Sequence, residues 1–189
     1  MAEPIVIAAA GDVVHALEAA GFDYALGGAI ALAYWGVPRA TVDVDVGVAA
    51  EPMQLPDLFL ALRRGGCEID EDRAAEAAMR GDFGCRARGV RVDVFLPVLP
   101  LARSAIDRRV RVPFGRAEAW IVSKEDAVLF KLLFGRTKDL ADLERLFSVH
   151  AERLDRVYLD RWVGSMFEDD DPRRAAYAWM RHAEKKYQA

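Results

Sequence analysis

The sequence predicts an α+β fold over its first two thirds and a small helical subdomain after it. Two short runs, Val42–Val48 and Val90–Leu96, alternate apolar and polar residues with period two, the pattern of half-buried strands. Stripes of helical spacing lie between and around such runs, so helices and strands share one layer plan. From Ser123 onward the alternation stops and the apolar residues recur only at helical spacing. The boundary therefore falls at Ser123, with residues 1–122 as an α/β core and 123–189 as a helical subdomain packed on it.

The elements follow in order. Ile5 to Ala20 carries Val13, Val14 and Leu17 at helical spacing and ends at Gly21, a glycine C-cap. Phe22–Leu26 reads as a strand, broken by Gly27-Gly28. Ala29–Trp35 reads as a helix, ended by Gly36-Val37-Pro38 because proline restricts its predecessor and lacks a donor. After the strand Val42–Val48, Pro52–Arg64 presents Leu55, Leu58, Phe59 and Leu62 as a helical stripe stopped by Gly65-Gly66. Cys67–Asp70 is a short strand, and Asp72–Arg80 either a helix or a mobile loop. Asp82–Arg88 and Val90–Leu96 form a hairpin about Gly89, closed by Pro97 and Pro100. Leu101–Arg108 is helical, and Val110–Pro113 and Ala117–Val122 are the last strands. The helices Lys124–Phe134, Lys138–His150, Asp155–Phe167 and Pro172–Tyr187 complete the chain. Ser123 is an N-cap with Glu125 and Asp126 in the first turn, and Glu168–Asp171 reads as a solvated cap of the last helix.

The 189 residues are 53% hydrophobic, enough for a core that needs no disulfide. Cys67 and Cys85 form no CxxC and read as reduced thiols in or near the sheet. A net charge of −4 argues against a standing grip on nucleic acid or an anionic membrane, though not against a local basic patch. No apolar run nears the ~20 residues of a membrane span, and Glu3 in an N-terminus without basic residues argues against a signal peptide. A cytoplasmic protein is expected.

The chemistry sits on three aspartates. Asp43 and Asp45, two apart on one strand, leave the same face with Cα atoms roughly 6.5–7 Å apart, close enough to share a hard cation. Asp93 occupies the equivalent position in Val92-Asp93-Val94. If its strand lies beside the first, the three carboxylates form a site for one or two Mg²⁺ or Mn²⁺ ions, and one of them can accept a proton from an acceptor hydroxyl. Gly27-Gly28 supplies the complement, since a glycine pair before a helix lets backbone N–H groups approach a phosphate. Each feature alone fits a solvated strand or an ordinary turn. Together, in this order, they ask for a cation.

The run Gly27-Gly28, Arg39, Thr41, Asp43-Val44-Asp45, followed by Asp93, resembles the DNA polymerase β-like nucleotidyltransferase superfamily, and within it the minimal bacterial branch around AbiEii-type toxins with its "GG-x-A … R-x-T-x-D-x-D" form. The likeness extends to Glu125-Asp126 … Lys131 … Gly135-Arg136-Thr137-Lys138-Asp139 … Asp142 and covers roughly Phe22 to Phe147. It implies a mixed sheet flanked by helices, an NTP substrate and transfer of an NMP to a hydroxyl on tRNA, protein or a small molecule. It further implies a possible antitoxin partner. Asp43, Asp45 and Asp93 would be catalytic and metal-binding. Gly27, Gly28, Arg39, Lys131, Arg136 and Lys138 would bind the nucleotide, with Thr41, Asp139 and Asp142 in support. Gly28 stands where many members have serine, which leaves only backbone donors for phosphate.

On a continuous helix Asp139 and Asp142 fall roughly 80° and 20° from Lys131, which reads either as a nucleotide-facing cluster or as a polar face with surface ion pairs. Arg39 is either a turn-stabilising partner or a phosphate contact, and Thr41 reads as structural. Tyr34 and Trp35 read as core or cleft wall, and Trp162, Tyr177 and Trp179 as packing of the helical subdomain, or, for a tryptophan left exposed there, as a contact for a partner. His15, His150 and His182 have no zinc spacing, and Ser104, Ser123 and Ser165 sit in no nucleophile elbow. The rival readings are a non-catalytic nucleotide-binding or interaction module on the same fold, and a structural protein whose aspartates merely solvate a strand.

Overall fold

A computed structural model describes residues 3–183 of the chain. They fall into two units, residues 3–31 with 40–122, and 32–39 with 123–183. The first unit carries strands β1 (Tyr24–Leu26), β2 (Asp43–Val48), β3 (Cys67–Glu68), β4 (Asp82–Ala87), β5 (Val90–Phe95), β6 (Val110–Phe114) and β7 (Ala117–Ile121). They form one mixed sheet in the order β3-β4-β5-β2-β1-β7-β6. β2 lies parallel to β5 and antiparallel to β1, while β1 lies parallel to β7.

Alternation decides the two faces of the sheet. Val44, Val46, Val48, Val92 and Val94 are completely buried on one face, with Phe83 and Cys85 beside them on β4. Helices α1 (Ile5–Ala19) and α3 (Leu55–Arg64) pack there. Phe59 of α3 meets Phe83 edge to face at 5.1 Å. Each such side chain contributes about 1.5–3 kcal/mol by leaving water. Flipping β2 by one residue would bury its aspartates instead, so the register is strongly specified. The other face of β2 and β5 is left for Asp43, Asp45, Arg91 and Asp93.

Several expectations are refined. Asp72–Arg80 resolves as a helix, α4 (Glu71–Ala78), whose first turn holds Glu71 and Asp72 where the helix dipole favours negative charge. Pro100 opens α5 (Pro100–Asp107) rather than closing the hairpin, because a first-turn proline has no N–H to leave unpaired. Pro52–Arg64 divides into a 3-10 turn, Pro52–Gln54, and α3, with Pro56 in the first turn of the latter.

The second unit holds the last residues of α2 (Gly28–Tyr34), then α6 (Lys124–Phe134), α7 (Thr137–His150), α8 (Arg156–Met166) and α9 (Pro172–Ala183). Residues 184–187 of the expected last helix lie outside the described residues. Leu129, Leu132, Leu143, Leu146 and Leu159 are fully buried, and Phe147 meets Tyr177 at 6.1 Å. Trp179 corrects the expectation that it packs this unit: it is 58% exposed, and α9 buries Tyr177 and Met180 instead. Trp162 is partly covered and stands edge-on to Tyr158. Tyr34 is likewise exposed rather than part of the core. No described helix is long and apolar enough to cross a membrane.

Candidate active site

β2 and β5 bring the three aspartates to one face. Their parallel register sets Asp43 opposite Arg91 and Asp45 opposite Asp93. Paired residues on neighbouring strands project to the same side of a sheet, so Asp43, Asp45 and Asp93 share a face with Arg91. All three aspartates are half-buried there.

Each carboxylate has its own surroundings. The Thr41 hydroxyl donates to Asp43 Oδ1 at 2.6 Å, so Thr41 fixes the first aspartate from the turn before β2. Asp45 lies against the glycine turn. The Gly27 N–H donates to the Asp45 carbonyl at 2.9 Å, and a Cβ built on Gly28 would stand 1.8 Å from Asp45 Oδ2. Gly28 also has φ +52°, a backbone conformation that favours glycine. The carboxylate of Asp45 thus fills the space a side chain at 28 would need, so a residue with a Cβ there would require Asp45 to shift. Asp93 is forked by Arg91, whose Nε lies 2.8 and 3.1 Å from the two oxygens and whose Nη2 lies 2.8 Å from Oδ1.

Among the described residues no three carboxylate, imidazole or thiol groups stand close enough, as placed, to hold a metal ion. As placed, Asp93 turns both oxygens toward Arg91. The donors still fit a divalent cation in kind. They are all oxygens, they lie in register on one face, and Asp45 rests in a cradle that a Cβ would fill.

The remaining candidates belong to the second unit. The calculation on a continuous helix does not apply. Gly135 takes a left-handed conformation, φ +60°, and its N–H caps α6 on Lys131 O, so α7 starts afresh at Thr137. The helix-turn-helix nonetheless brings Lys131 to both aspartates. Its ammonium lies 2.6 Å from Asp139 Oδ1 and 2.9 Å from Asp142 Oδ2. These are not surface pairs: the three side chains are 7%, 0% and 4% exposed. Arg136 donates to Asp139 through Nε at 2.6 Å and through its backbone N–H at 3.2 Å, half of a capping box at the start of α7. Burial pushes the Asp139 carboxyl up, but the bonds from Arg136 and Lys131 outweigh it and hold it below the ordinary aspartate value.

Arg39 Nε lies 3.3 Å from Asp142 Oδ2, an ion pair without hydrogen-bond direction. Lys138 is exposed. His150 Nε2 lies 2.7 Å from the Trp35 carbonyl oxygen, a structural contact. The residue that reading for acids overlooked is Arg91. Its signal was present, since Arg91-Val92-Asp93 places it on the aspartate face by period two.

No family model matches the chain, and no curated protein does. Solved structures match in fold. An antigenic nucleotidyltransferase-like protein from Paracoccidioides brasiliensis superposes with a TM-score of 0.55 at 16% identity, covering 97% of this chain and 88% of that one. ANT(2")-Ia in complex with adenylyl-2"-tobramycin gives 0.55 at 12% identity, covering 98% and 100%. The solution structure of the antibiotic-resistance factor ANT(2'')-Ia gives 0.50 at 13%, covering 96% of each. The chain has a nucleotidyltransferase-like fold.

Proposed function

We propose that the protein transfers a nucleoside monophosphate from an NTP to a hydroxyl acceptor. The acceptor oxygen bonds to the α-phosphorus, the α–β phosphate bond breaks and pyrophosphate leaves. The observation that carries this reading is the β2–β5 register, which sets Asp43, Asp45 and Asp93 on one face beside the Gly27-Gly28 turn. The nucleotidyltransferase-like fold supports it.

Asp43, Asp45 and Asp93 would hold Mg²⁺ or Mn²⁺, whose charge steadies the triphosphate and the departing pyrophosphate. The chain's own groups do the rest. Thr41 orients Asp43. Gly28 gives Asp45 room and lets the backbone approach phosphate oxygens, since it has no side chain to offer. A carboxylate of the set accepts the hydroxyl proton. In the second unit Lys131 is buried and paired with both Asp139 and Asp142, so we assign it to positioning. Arg136 and Lys138, both exposed, are the cations assigned to the nucleotide, with Arg39, partly exposed and paired with Asp142, as a further candidate.

The test pairs wild type with Asp45→Asn. Each is incubated with α-labelled NTPs, Mg²⁺ and, in turn, tobramycin, tRNA and total cell protein. Tobramycin is included because the ANT(2")-Ia structure holds its adenylyl derivative. Labelled product formed by wild type and absent with D45N is the expected result. NTP binding without transfer to any acceptor would favour the non-catalytic module, and no NTP or metal binding would remove both. The toxin role implied by the AbiEii resemblance predicts growth arrest on expression of wild type but not of D45N.

A further inference from the structure

The β2–β5 register makes a rectangle on one sheet face, with Asp43 opposite Arg91 and Asp45 opposite Asp93. Neighbouring strands lie about 4.8 Å apart, and alternate residues along a strand roughly 6.5–7 Å. Three corners are carboxylates, which repel one another at such spacing. The fourth corner is a guanidinium. It takes both oxygens of Asp93, and the charges of Asp43 and Asp45 act on it as well.

We propose that Arg91 is an exchangeable counter-cation: it occupies Asp93 before substrate enters, yields that carboxylate to the divalent ion, and passes to the phosphate oxygens that arrive with it. The proposal rests on the nucleotidyltransferase reading above. Three features support it. The Arg91 side chain is 66% exposed, so its tie to Asp93 is a weak, solvent-screened pair that a divalent cation can displace. Arg91 sets its charge against both Asp93 oxygens through Nε, so it competes electrostatically with a divalent ion for the same carboxylate. Guanidinium does not lose its proton in proteins, so it leaves Asp93 by competition and not by titration. Once released, it remains anchored opposite Asp43, and its planar fork matches phosphate oxygens.

One substitution should then have effects of opposite sign. Mn²⁺ binding is measured by electron paramagnetic resonance, and binding of α,β-methylene-ATP with Mg²⁺ by calorimetry. Arg91→Gln should bind Mn²⁺ alone about three- to tenfold more tightly, since a competing charge is gone. It should bind the Mg²⁺–analogue about tenfold more weakly, since a forked phosphate contact is gone. Exposure of the side chain predicts a melting temperature near that of wild type, which checks that the variant folds. Both affinities unchanged within twofold would make Arg91 an inert surface partner and overturn the proposal while leaving the transferase reading intact. Both weakened would make it a plain ligand and overturn the exchange. If wild type binds neither Mn²⁺ nor the analogue, the transferase reading falls and this proposal falls with it.

Discussion

Gly28→Ala isolates the contact between the glycine turn and the second aspartate. Two costs are involved. Holding an L-residue at φ +52° costs about 1–2 kcal/mol. A stiffer unfolded chain offsets about 0.4–1 kcal/mol of that. The net loss is about 0–1.6 kcal/mol, a melting shift of at most roughly 6 °C for a chain of this size. The second cost concerns the site. The new Cβ would lie 1.8 Å from Asp45 Oδ2, a separation real Cβ atoms do not show below 3.0 Å, so the carboxylate must retreat by about 1.2 Å. A carboxylate on a flexible end moves with little loss of stability, but a displacement near 1 Å at a reacting centre costs about 10²-fold in rate. The control is Gly89→Ala in the β4–β5 turn, which has φ +75° and nothing within 4 Å of its Cβ. Both variants should melt at most a few degrees early. G28A alone should lose Mn²⁺ affinity, read by paramagnetic resonance, and labelled transfer. A G28A protein that binds Mn²⁺ as tightly as G89A does would refute the reasoning, because Asp45 would then matter in no position that Gly28 controls.

Other outcomes follow from buried groups. Lys131→Met removes the ammonium shared by Asp139 and Asp142 and should cost about 3–5 kcal/mol in urea unfolding, since breaking a buried pair strands its partner; a loss below 1 kcal/mol would show the cluster to be solvated. Asp139 has a depressed pKa in the folded state, so its contribution to stability is present above its unfolded value near 4 and is lost as pH falls through the folded value; acid unfolding of Asp139→Asn should lose that part of its slope below pH 4. Tyr24 and Tyr177 are pushed upward by burial and by bonds to Glu18 and Asp160, so their stabilising protons are retained below pH 10 and lost above it; ultraviolet titration at 295 nm should show both ionising last, together with unfolding. Cys67 and Cys85 are buried free thiols, so a thiol reagent should react slowly with the native protein and with both on unfolding.

The sheet was legible because its signal is local. Period two in Val42–Val48 and Val90–Leu96 decides which residues face the core, and the folded strands agree except at Val42, which stands 82% exposed ahead of β2. The order β3-β4-β5-β2-β1-β7-β6 was not written in any one strand. It depends on which edges pair across long separations, which a pattern within one strand does not encode. Proline was read as a terminator at Pro100 when it served as an initiator, because the same missing N–H suits both ends of a segment. Trp179 reads from sequence as packing of the helical subdomain, with exposure toward a partner as the alternative; the helix face that Tyr177 and Met180 occupy leaves it 58% exposed.

The site divides along the same physical line. Placing Asp43, Asp45 and Asp93 on one face needs only alternation and one strand pairing. Deciding what each charge does needs its partner, and partners lie across a turn or a register. Lys131 shows the difference. Spacing on an unbroken helix put Asp139 and Asp142 near it for the wrong reason, since Gly135 reverses the chain between them. The contact formed anyway, and more tightly, because folding back lets α7 present both carboxylates to one ammonium inside the unit. Burial then changes its meaning. An exposed lysine keeps its charge for a ligand, whereas one enclosed by two carboxylates has nearly spent it. Arg91 is the converse. The sequence reading passed over it, and in the fold it stands 66% exposed on the face of the three carboxylates, so its charge is not enclosed as that of Lys131 is. Sequence names the charges in both cases, and burial decides which of them remain available for chemistry.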